Sequence, residues 1–442
     1  MIEAVGSGRR WLFLGPEACW MFKVMKMKIT EIRKPGQKQA RARALLLFSG
    51  GLDSVLAGKV LEEQGIEVVG LTFHSQFFGA AGAIRAAEEL GWPLLLVDIN
   101  HEQIELVENP KYGFGRRLNP CIDCHGQMAR IAGQLLEEYQ ADFVATGEVL
   151  GERPKSQNRQ ALAIVEKLSG IKGLVLRPLS ARLLPPTIPE EKGLVDREKL
   201  LDLYGRSRKR QLELAEKYGL REFPTPAGGC LLTDPVFSAR LRRLREWRGK
   251  LRAGDISLIK TGRVFFEEDG LIVVGRNEGE NEKIAGLADE WDVLVTTAGI
   301  KGPLAVVRLK QWGELLGKDS AGGAGGWAGG ENMASSPGVE GPVLAVEESR
   351  EGGQQKGRIE NDRKSGLIQL VRSIQEGKMV PEKRAADESA AGVAAAAAVR
   401  EACLLVIRYS QARKLERAEA AVIWRGGSYR LELGQAEWQK YL

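Results

Sequence analysis

The sequence predicts a doubly wound parallel α/β sheet followed by a smaller α+β domain. Helical stretches of 10–15 residues alternate with short apolar runs, and this alternation implies crossover connections within one parallel sheet. Beyond residue 252 the apolar runs shorten and turn dipeptides divide them, which indicates a β-rich second domain. The runs in the first part, typical of strands buried on both faces, lie at residues 44–48, 67–73, 94–99 and 143–146.

The chain is long enough for two or three domains, since it has 442 residues of which 43% are hydrophobic. No uninterrupted apolar run reaches the roughly 18 residues that a membrane-spanning helix needs, so no membrane partner is expected. Five cysteines are too few for a disulfide framework, and we therefore expect a reducing, cytoplasmic location. The net charge of +6 is compatible with a polyanionic partner without requiring one.

Composition divides the chain into four parts. Residues 1–43 form an extension without a sustained apolar run, and we expect translation to start at Met25 or Met27. Residues 44–251 hold the parallel sheet. Residues 317–393 are rich in Gly, Ala, Ser and charged side chains, which predicts a flexible insert. The insert splits a second domain made of residues 252–316 and 394–442.

The predicted elements after the parallel strands are helices and short strands. The first domain ends with helices at 196–218 and 235–247. The second domain has strands at 256–261, 263–267, 271–274, 293–297 and 304–309, then a helix at 394–413 and a hairpin at 420–424 and 429–433.

A glycine-rich loop, SGGLDS at residues 49–54, lies directly between the first buried strand and the first helix. Adjacent glycines let the backbone turn sharply and bring its N–H groups close to an anion, and the helix amino terminus adds a positive dipole end. The loop lacks the ending of a Walker P-loop and the G-x-G-x-x-G of a dinucleotide fold. The alternative is an ordinary tight turn, but the full hexapeptide in this position favours nucleotide binding.

The hexapeptide resembles the SGGxDS signature of the PP-loop ATP pyrophosphatases, which cleave ATP between its α and β phosphates. The resemblance implies a Rossmann-like sheet and a catalytic role for Asp53 in the phosphate–Mg²⁺ chemistry. It implies that the loop residues bind the pyrophosphate of ATP: Ser49, Gly50, Gly51, Asp53 and Ser54.

The same family uses the strand after the first helix to hold adenine through its backbone. In this sequence that strand ends with Thr72, Phe73 and His74, and the resemblance makes His74 a wall residue rather than a catalyst. His101 has no motif around it and is interpreted as structural.

Three of the five cysteines have settings that indicate chemistry. Cys121 and Cys124 are three residues apart at a predicted loop-to-helix junction, where a helix amino terminus lowers the pKa of a thiol. Cys230 follows two glycines. Three outcomes stay open: an iron–sulfur cluster on three thiolates, a zinc ion completed by His125, or metal-free persulfide chemistry. The alternative to all three is that the thiols are buried and unreactive.

The cysteine segment resembles the Asn-Pro-Asp-x-x-Cys-Asn segment of the bacterial tRNA 2-thiouridylases. Cys124 and Cys230 fall on the two functional cysteines of that family, and Cys121 replaces its aspartate. The resulting set of three is similar to that of the iron–sulfur-dependent tRNA thiolation enzymes. The resemblance therefore implies a 4Fe–4S cluster held by Cys121, Cys124 and Cys230, with zinc as the alternative because His125 stands where the family has Asn.

The end of the fourth strand, ATGE at residues 145–148, is similar to the Ala-Thr-Gly-His segment of these families, which implies that Gly147 approaches the nucleotide. Glu152 falls on an acidic pair of the cluster-dependent branch, and Gly151 replaces its partner. Arg153, Lys155 and Gln157 are candidates for phosphate contacts, with a solvated loop as the alternative.

Basic residues form three groups near these motifs, which favours RNA over a solvated surface. Residues 272–281 resemble the strand-and-turn signature of the NFACT RNA-binding domain, and residues 409–413 resemble its Tyr-Ser-x-Ala-Arg helix. The basic groups are Lys111 with Arg116 and Arg117, Arg206 with Arg208, Lys209 and Arg210, and the seven cations of residues 240–252.

Together these patterns predict an ATP-dependent transferase that thiolates RNA, most of all tRNA, with ATP, Mg²⁺ and a 4Fe–4S cluster as cofactors and a sulfur donor as partner. ATP would adenylate a nucleobase carbonyl, and sulfur would then replace the oxygen. Two alternatives remain. One is a PP-loop amidating or ligating enzyme with a zinc site, and the other is a non-catalytic RNA-binding factor.

Overall fold

The computed structural model describes residues 28–220, 229–268, 270–289, 291–310, 383–384, 397–410, 417–424 and 427–434. The chain forms two compact units. Unit 1 comprises Met1–Arg242 and Lys250–Ala253, and unit 2 comprises Arg243–Gly249 and Gly254–Leu442. Residues 1–27 of the predicted extension and most of the predicted insert lie outside the described residues, whereas residues 29–33 of that extension form strand β1 of the unit 1 sheet.

Unit 1 is built on a six-stranded sheet with the order β1-β4-β3-β2-β5-β6. Strand β1 pairs antiparallel with β4, and every other pair is parallel. The sheet confirms the predicted doubly wound α/β class. Its strands are β1 (Ile29–Arg33), β2 (Arg43–Leu47), β3 (Glu67–His74), β4 (Leu94–Asp98), β5 (Phe143–Thr146) and β6 (Val175–Leu176).

Helices connect these strands and cover the sheet. Two hydrophobic clusters, one containing Leu46 and Phe143 and the other Leu45 and Val144, form because alternate residues of a strand point to opposite faces. The helices of unit 1 are α1 (Leu52–Glu62), α2 (Ala81–Leu90), α3 (Asn100–Glu108), α4 (Cys121–Gln134), α5 (Arg159–Ser169), α6 (Ile188–Glu191) and α7 (Lys209–Lys217), and α8 (Pro235–Arg248) spans the boundary between the units.

The strand order reverses beside β2. The chain runs from β2 to β3 and β4 on one side, and then returns to β5 and β6 on the other. In open parallel sheets, ligands bind beyond the carboxyl ends of the strands where the order reverses. The loops after β2 and β5 therefore form the expected ligand position of unit 1.

Unit 2 contains a seven-stranded sheet with the order β11-β13-β12-β9-β10-β8-β7. Strands β12 and β13 form the predicted terminal hairpin. Helix α11 (Ala397–Arg408) packs its buried side on strands β8, β9, β10 and β12. The remaining elements are α9 (Ala253–Ile259), β7 (Arg263–Phe266), β8 (Gly270–Val274), α10 (Glu278–Leu287), β9 (Val293–Thr297), β10 (Ala305–Leu309), β11 (Lys383–Arg384), β12 (Arg417–Trp424) and β13 (Gly427–Gly434).

Two predicted elements are wrong. Residues 256–261, predicted as a strand, belong mainly to helix α9, because a short apolar run does not distinguish a buried strand from a buried helical turn. The predicted helix 196–218 is helical only at Lys209–Lys217, apart from one short turn at Arg197–Lys199. Between them Leu203 donates its backbone N–H to Leu179 O at 2.8 Å, so tertiary pairing replaces the helical hydrogen bonds.

Within the described residues, no helix combines the length and apolar character that crossing a membrane requires.

Candidate functional site

The glycine loop leads into α1 and has the backbone geometry of an anion-binding turn. Gly50 adopts φ +73°, and a Cβ there would lie 2.5 Å from Gly82 O, so only glycine fits. Ser54 Oγ donates a 2.8 Å hydrogen bond to Gly51 O, and Gly51 N donates a 3.3 Å bond to Ser49 Oγ. These bonds fix the loop and leave the amino terminus of α1, which begins at Leu52, facing the carboxyl edge of the sheet.

The end of β5 packs directly on this loop. A Cβ at Gly147 would lie 2.6 Å from both the carbonyl carbon of Asp53 and the backbone N of Ser54. The structure thus brings Gly147 together with the loop residues predicted to bind ATP. The glycine is required here because two backbones touch.

A pair of carboxylates with two guanidinium groups lies at the tip of the loop. Burial raises the pKa of Asp53, while the charges of Arg208 and Arg153 and a hydrogen bond from Gln211 oppose the rise. Asp53 Oδ1 is buried and has no hydrogen-bond partner among the described residues. Burial and the Asp53 charge raise the pKa of Glu152, again against Arg153 and Arg208.

This arrangement suits a phosphate–metal group. The two carboxylates supply oxygen ligands of the kind Mg²⁺ prefers, and the guanidinium groups suit phosphate oxygens. Arg208 Nε is itself buried without a hydrogen-bond partner within the described part of the chain. A bound Mg²⁺–phosphate group would satisfy both the orphaned Asp53 oxygen and this nitrogen, so the residues present fit the group.

The upper end of β3 leaves backbone atoms available on one side. Strand β2 pairs with β3 only as far as Leu71, whereas β4 pairs with β3 as far as His74. The side chains of Thr72 and Phe73 are buried. A ligand beside these two predicted residues would therefore meet their backbone, and His74 lies 3.8 Å from Asp98 at the margin.

The three predicted cysteines share one region. Cys121 starts α4 and its Sγ accepts a 3.2 Å bond from Asn119, while Cys124 Sγ accepts a 3.4 Å bond from Gln103. Burial raises the pKa of Cys124, and the neighbouring Cys230 and Cys121 raise it further. Such mutual effects require the three thiols to be close to each other.

The expected lowering of the thiol pKa by the helix end is wrong for Cys124, whose pKa is raised by burial. Burial raises the pKa of Cys230 to about 11, with a further rise from Cys121 and an opposing effect from Arg153 and the Leu232 backbone. Burial outweighs the helix dipole because the thiolate loses its hydration. Cys403 lies in the core of unit 2, where burial raises its pKa to about 12, and Cys19 lies outside the described residues.

The donor types fit a metal–sulfur group, since neighbouring thiols become thiolates when a cation compensates their charge. Throughout the described ranges, however, no three His, Cys, Asp or Glu side chains are already gathered at metal-binding spacing.

His125 takes part in a buried ion network. Its Nδ1 lies 2.8 Å from Glu148 Oε1, and Arg177 Nε donates a 3.0 Å bond to Glu148 Oε2. Burial alone would raise the pKa of Glu148, but Arg177 and His125 hold it at about 2. Glu148 stands where the resembled families have His, and His125 stands where they have Asn. The two residues that differ from those families are thus hydrogen-bonded to each other.

Two buried residues of the cysteine region were not predicted. Gln103 lies on α3, in a stretch interpreted as loop, and bridges Cys124 to Gln127 at 3.0 Å. Asp123 accepts hydrogen bonds from the backbone N atoms of Lys111 and Tyr112 at 3.2 and 3.0 Å.

Arg153 connects the nucleotide loop with the thiols. Its positive charge opposes the rise in the pKa values of Asp53, Glu152 and Cys230. Arg153 therefore lies within electrostatic range of all three residues. The predicted ATP loop and Cys230 of the predicted sulfur site therefore both lie within electrostatic range of Arg153.

The three basic groups differ in what they contact. Arg210 pairs with exposed Asp202 at 2.8 Å, and Arg208 faces Asp53. Arg248 is buried and bound to Asp255 at 2.9 Å, so this member of the third group is structural rather than available to phosphate.

In unit 2 the two NFACT-like segments meet at one loop. Asn281 Oδ1 accepts a 3.0 Å bond from Leu304 N, and a Cβ at Gly302 would lie 3.0 Å from Ser410 Cβ. Arg263 stacks on the ring of Tyr409 with 4.1 Å between the guanidinium carbon and the ring centre. Residues 411–413 of the second segment lie outside the described residues.

Comparison with known proteins finds sequences similar to the part of the chain that carries this site. Residues 39–182 match the family model described as "Thiamine biosynthesis protein (ThiI)". The tRNA-specific 2-thiouridylase MnmA of Amoebophilus asiaticus is 26% identical over 54% of this chain and 64% of its own length. This part of the chain is similar to ThiI and to the 2-thiouridylases. The predicted PP-loop resemblance is thereby confirmed, while the NFACT resemblance stays a prediction.

Further similar proteins are also described as tRNA-specific 2-thiouridylases. The 2-thiouridylase MnmA 2 of Thermoanaerobacter sp. is 26% identical, over 62% of this chain and 77% of its own length, and that of Geobacter metallireducens is 32% identical over 25% and 36%. The chain thus spans from about a third to about three quarters of the lengths of these relatives. A solved 4-thiouridine synthetase–RNA complex with bound ATP aligns with a TM-score of 0.28 and 22% identity over 50% of this chain and 52% of that one.

Proposed function

We propose that the protein is an ATP-dependent sulfurtransferase that acts on RNA, with tRNA as the substrate class. The observation that carries the proposal is the single site of unit 1, in which Arg153 lies within electrostatic range of both the Asp53 carboxylate and the Cys230 thiol. A nucleotide cradle close to a group of thiols suits a reaction that activates a substrate with ATP and then transfers sulfur. The relationship to ThiI and the 2-thiouridylases supports the same reading.

ATP would lie across the carboxyl ends of β2, β3 and β5. Its phosphates would meet the amino terminus of α1, Arg208 and Arg153, and Asp53 and Glu152 would hold Mg²⁺. Its adenine would meet the backbone of Thr72 and Phe73. These roles follow from the open β3 edge and the orphaned polar atoms.

The reaction has two steps. The carbonyl oxygen of the nucleobase attacks the α-phosphorus of ATP, an oxygen–phosphorus bond forms, and pyrophosphate leaves. A sulfur nucleophile then attacks the carbon of the activated carbonyl group, and AMP leaves together with the former carbonyl oxygen. Arg153 and Arg208 stabilise the developing phosphate charge.

The three thiols would hold the sulfur chemistry. Cys121, Cys124 and Cys230 would hold a 4Fe–4S cluster, which supplies a position for the sulfur atom before its transfer. Without metal, a persulfide on Cys230 would give up its terminal sulfur, and Cys124 would close a disulfide that an external dithiol reduces. Zinc completed by His125 is the alternative, because Glu148 engages His125 Nδ1 and leaves Nε2 as the nitrogen available to a metal.

Metal analysis separates these three sulfur routes. Protein purified without oxygen should be brown with about four irons per chain, and each of Cys121→Ala, Cys124→Ala and Cys230→Ala should bleach it. Cys403→Ala is the matched control and should keep the colour. Stoichiometric zinc in a colourless protein would overturn the cluster and favour the ligase alternative. Absence of metal would leave the persulfide route.

The function itself is tested by comparing RNA nucleosides from cells with and without the gene. We expect one thiolated pyrimidine to disappear from the tRNA fraction when the gene is deleted, and to return with the wild-type gene but not with Asp53→Asn. An unchanged nucleoside profile would contradict the proposal. AMP release from ATP distinguishes the enzyme from a non-catalytic RNA-binding factor.

The remaining organisation follows from this function. A tRNA-modifying enzyme works in the cytoplasm with a sulfur donor as partner. Unit 2 would then serve as an RNA-binding domain of residues 252–316 and 394–442, with residues 317–393 as an insert; of that insert the structure describes one two-residue strand, β11, paired with β13.

A further inference from the structure

The segment after β6 presents one large aromatic side chain to solvent. Tyr204 is 70% exposed. Its backbone is nevertheless fixed, because Leu203 N donates to Leu179 O at 2.8 Å and Gly205 N donates to Leu150 O at 2.8 Å. Leu203 itself is buried in the core. An exposed aromatic ring on a fixed backbone presents a flat apolar face with a polar tip, which is suited to binding a ligand.

The ring lies against the loop that carries the active-site charges. A Cβ at Gly151 would be 3.1 Å from Tyr204 Cε2 and 3.3 Å from Cζ. Gly151 also has φ +82°, so the position is suited to glycine. The next two residues of the loop, Glu152 and Arg153, lie within electrostatic range of Asp53 and Cys230, respectively. The aromatic ring therefore lies at the edge of the proposed active site.

Positive charge continues from the ring into the site. Arg206 is exposed two residues after Tyr204, and Arg208 lies within electrostatic range of the Asp53 carboxylate. An aromatic face flanked by arginines is the combination that proteins use for single-stranded RNA, in which unstacked bases lie on rings and phosphates meet guanidinium groups.

We propose that Tyr204 is the platform on which an unstacked nucleobase of the substrate RNA stacks at the entrance of the active site. The inference rests on the proposed function and adds a substrate contact to it. Gly151 is part of the same feature, since any larger residue would displace the ring. A base that must be taken out of its stack before modification needs such a replacement surface.

The kinetic test compares Tyr204→Leu with Tyr204→Phe in thiolation of an unmodified, in vitro transcribed tRNA mixture. Loss of one stacking contact should raise KM for RNA about tenfold or more in the Leu variant, with kcat less affected, and Phe should restore it. KM for ATP should not change. Ile32→Ala, an exposed apolar residue on the distant edge strand β1, is the matched control. An unchanged KM for RNA in Tyr204→Leu would overturn the inference.

A second measurement does not depend on activity. The same tRNA mixture transcribed with 5-iodouridine is irradiated with the full-length wild-type protein, and the crosslinked peptide is identified by mass spectrometry. The inference predicts an adduct at Tyr204 that is lost in Tyr204→Leu. Crosslinks confined to other residues would overturn it. A wild-type protein that forms this adduct but no thionucleoside would support the stacking site and refute the sulfurtransferase.

Discussion

At the scale of single residues, Asp53 combines chemical importance with a small structural role. Burial raises its pKa, so the folded protein disfavours the ionised carboxylate, and one oxygen has no hydrogen-bond partner in the described chain. Such a group is kept at a cost in stability because a ligand satisfies it.

Asp53→Asn should therefore lower AMP formation by about a hundredfold or more while leaving the melting temperature equal or higher. The substitution removes a metal ligand but also an unsatisfied buried charge. AMP release and thermal unfolding are measured on the same preparation, with exposed Asp202→Asn as control. Full AMP formation by Asp53→Asn would exclude the proposed phosphate site.

Glu148 makes the opposite prediction for stability. Its folded-state pKa of about 2 lies below the ordinary value of 4.5, so its contribution is present above about pH 4.5 and is lost as the pH falls toward 2. Glu148→Gln should lower the free energy of unfolding at neutral pH by about 3 kcal/mol, because it leaves Arg177 buried without its counter-charge.

Denaturant unfolding at several pH values tests this prediction. The difference in stability between wild type and Glu148→Gln should be constant near neutrality and shrink below about pH 4.5. Equal stability at neutral pH would show that the Arg177–Glu148 pair contributes nothing net. Glu63, an exposed partner of Lys217, supplies the control substitution Glu63→Gln.

At the scale of elements, one arginine of β10 joins three parts of unit 2. Arg308 is buried and contacts Asp255 of α9 at 3.0 Å, Asp292 before β9 at 2.6 Å and Asp289 at 3.1 Å. Although burial would lower the pKa of Arg308, these carboxylates raise it. The ion network holds a helix and two strands in register.

Arg308→Ala should destabilise unit 2 by about 3–5 kcal/mol, because it leaves buried carboxylates without their partner. Hydrogen exchange of the β8, β9 and β10 amides measures the effect locally. Arg276→Ala, which removes an exposed pair with Glu280, should change exchange little. Similar protection in Arg308→Ala and wild type would mean that the network is dispensable.

The sequence predicted the elements that have a clear local signal. The four parallel strands follow from continuous apolar runs, and the SGGLDS loop is recognised from six adjacent residues. The segment 196–218 was misinterpreted because its composition favours helix, whereas Leu200 and Leu203 are recruited to the core and Gly205 adopts φ +84°. Helix α3 and its Gln103 were also missed, because the contacts that make Gln103 part of the site are with residues of another helix.

At the scale of the whole molecule, the site residues come from distant parts of the chain. Asp53, Cys124, Arg153, Arg208 and Cys230 are separated by up to 177 positions, yet electrostatic interactions connect Arg153 and Arg208 with Asp53, Arg153 with Cys230, and Cys230 with Cys124. The resemblance gave the roles of Asp53 and the cysteines. It did not indicate that Arg153 would link the nucleotide loop to Cys230, because that contact depends on how the loop after β5 folds.

The central claim is that ATP consumption and sulfur transfer are one reaction in this protein. The most direct test incubates the anaerobically prepared protein with ATP, Mg²⁺, inorganic sulfide and unmodified tRNA, and quantifies AMP and thionucleoside together. The account predicts one AMP for each thionucleoside, and neither product from Asp53→Asn. AMP without any thionucleoside, or thiolation that proceeds without ATP, would contradict it.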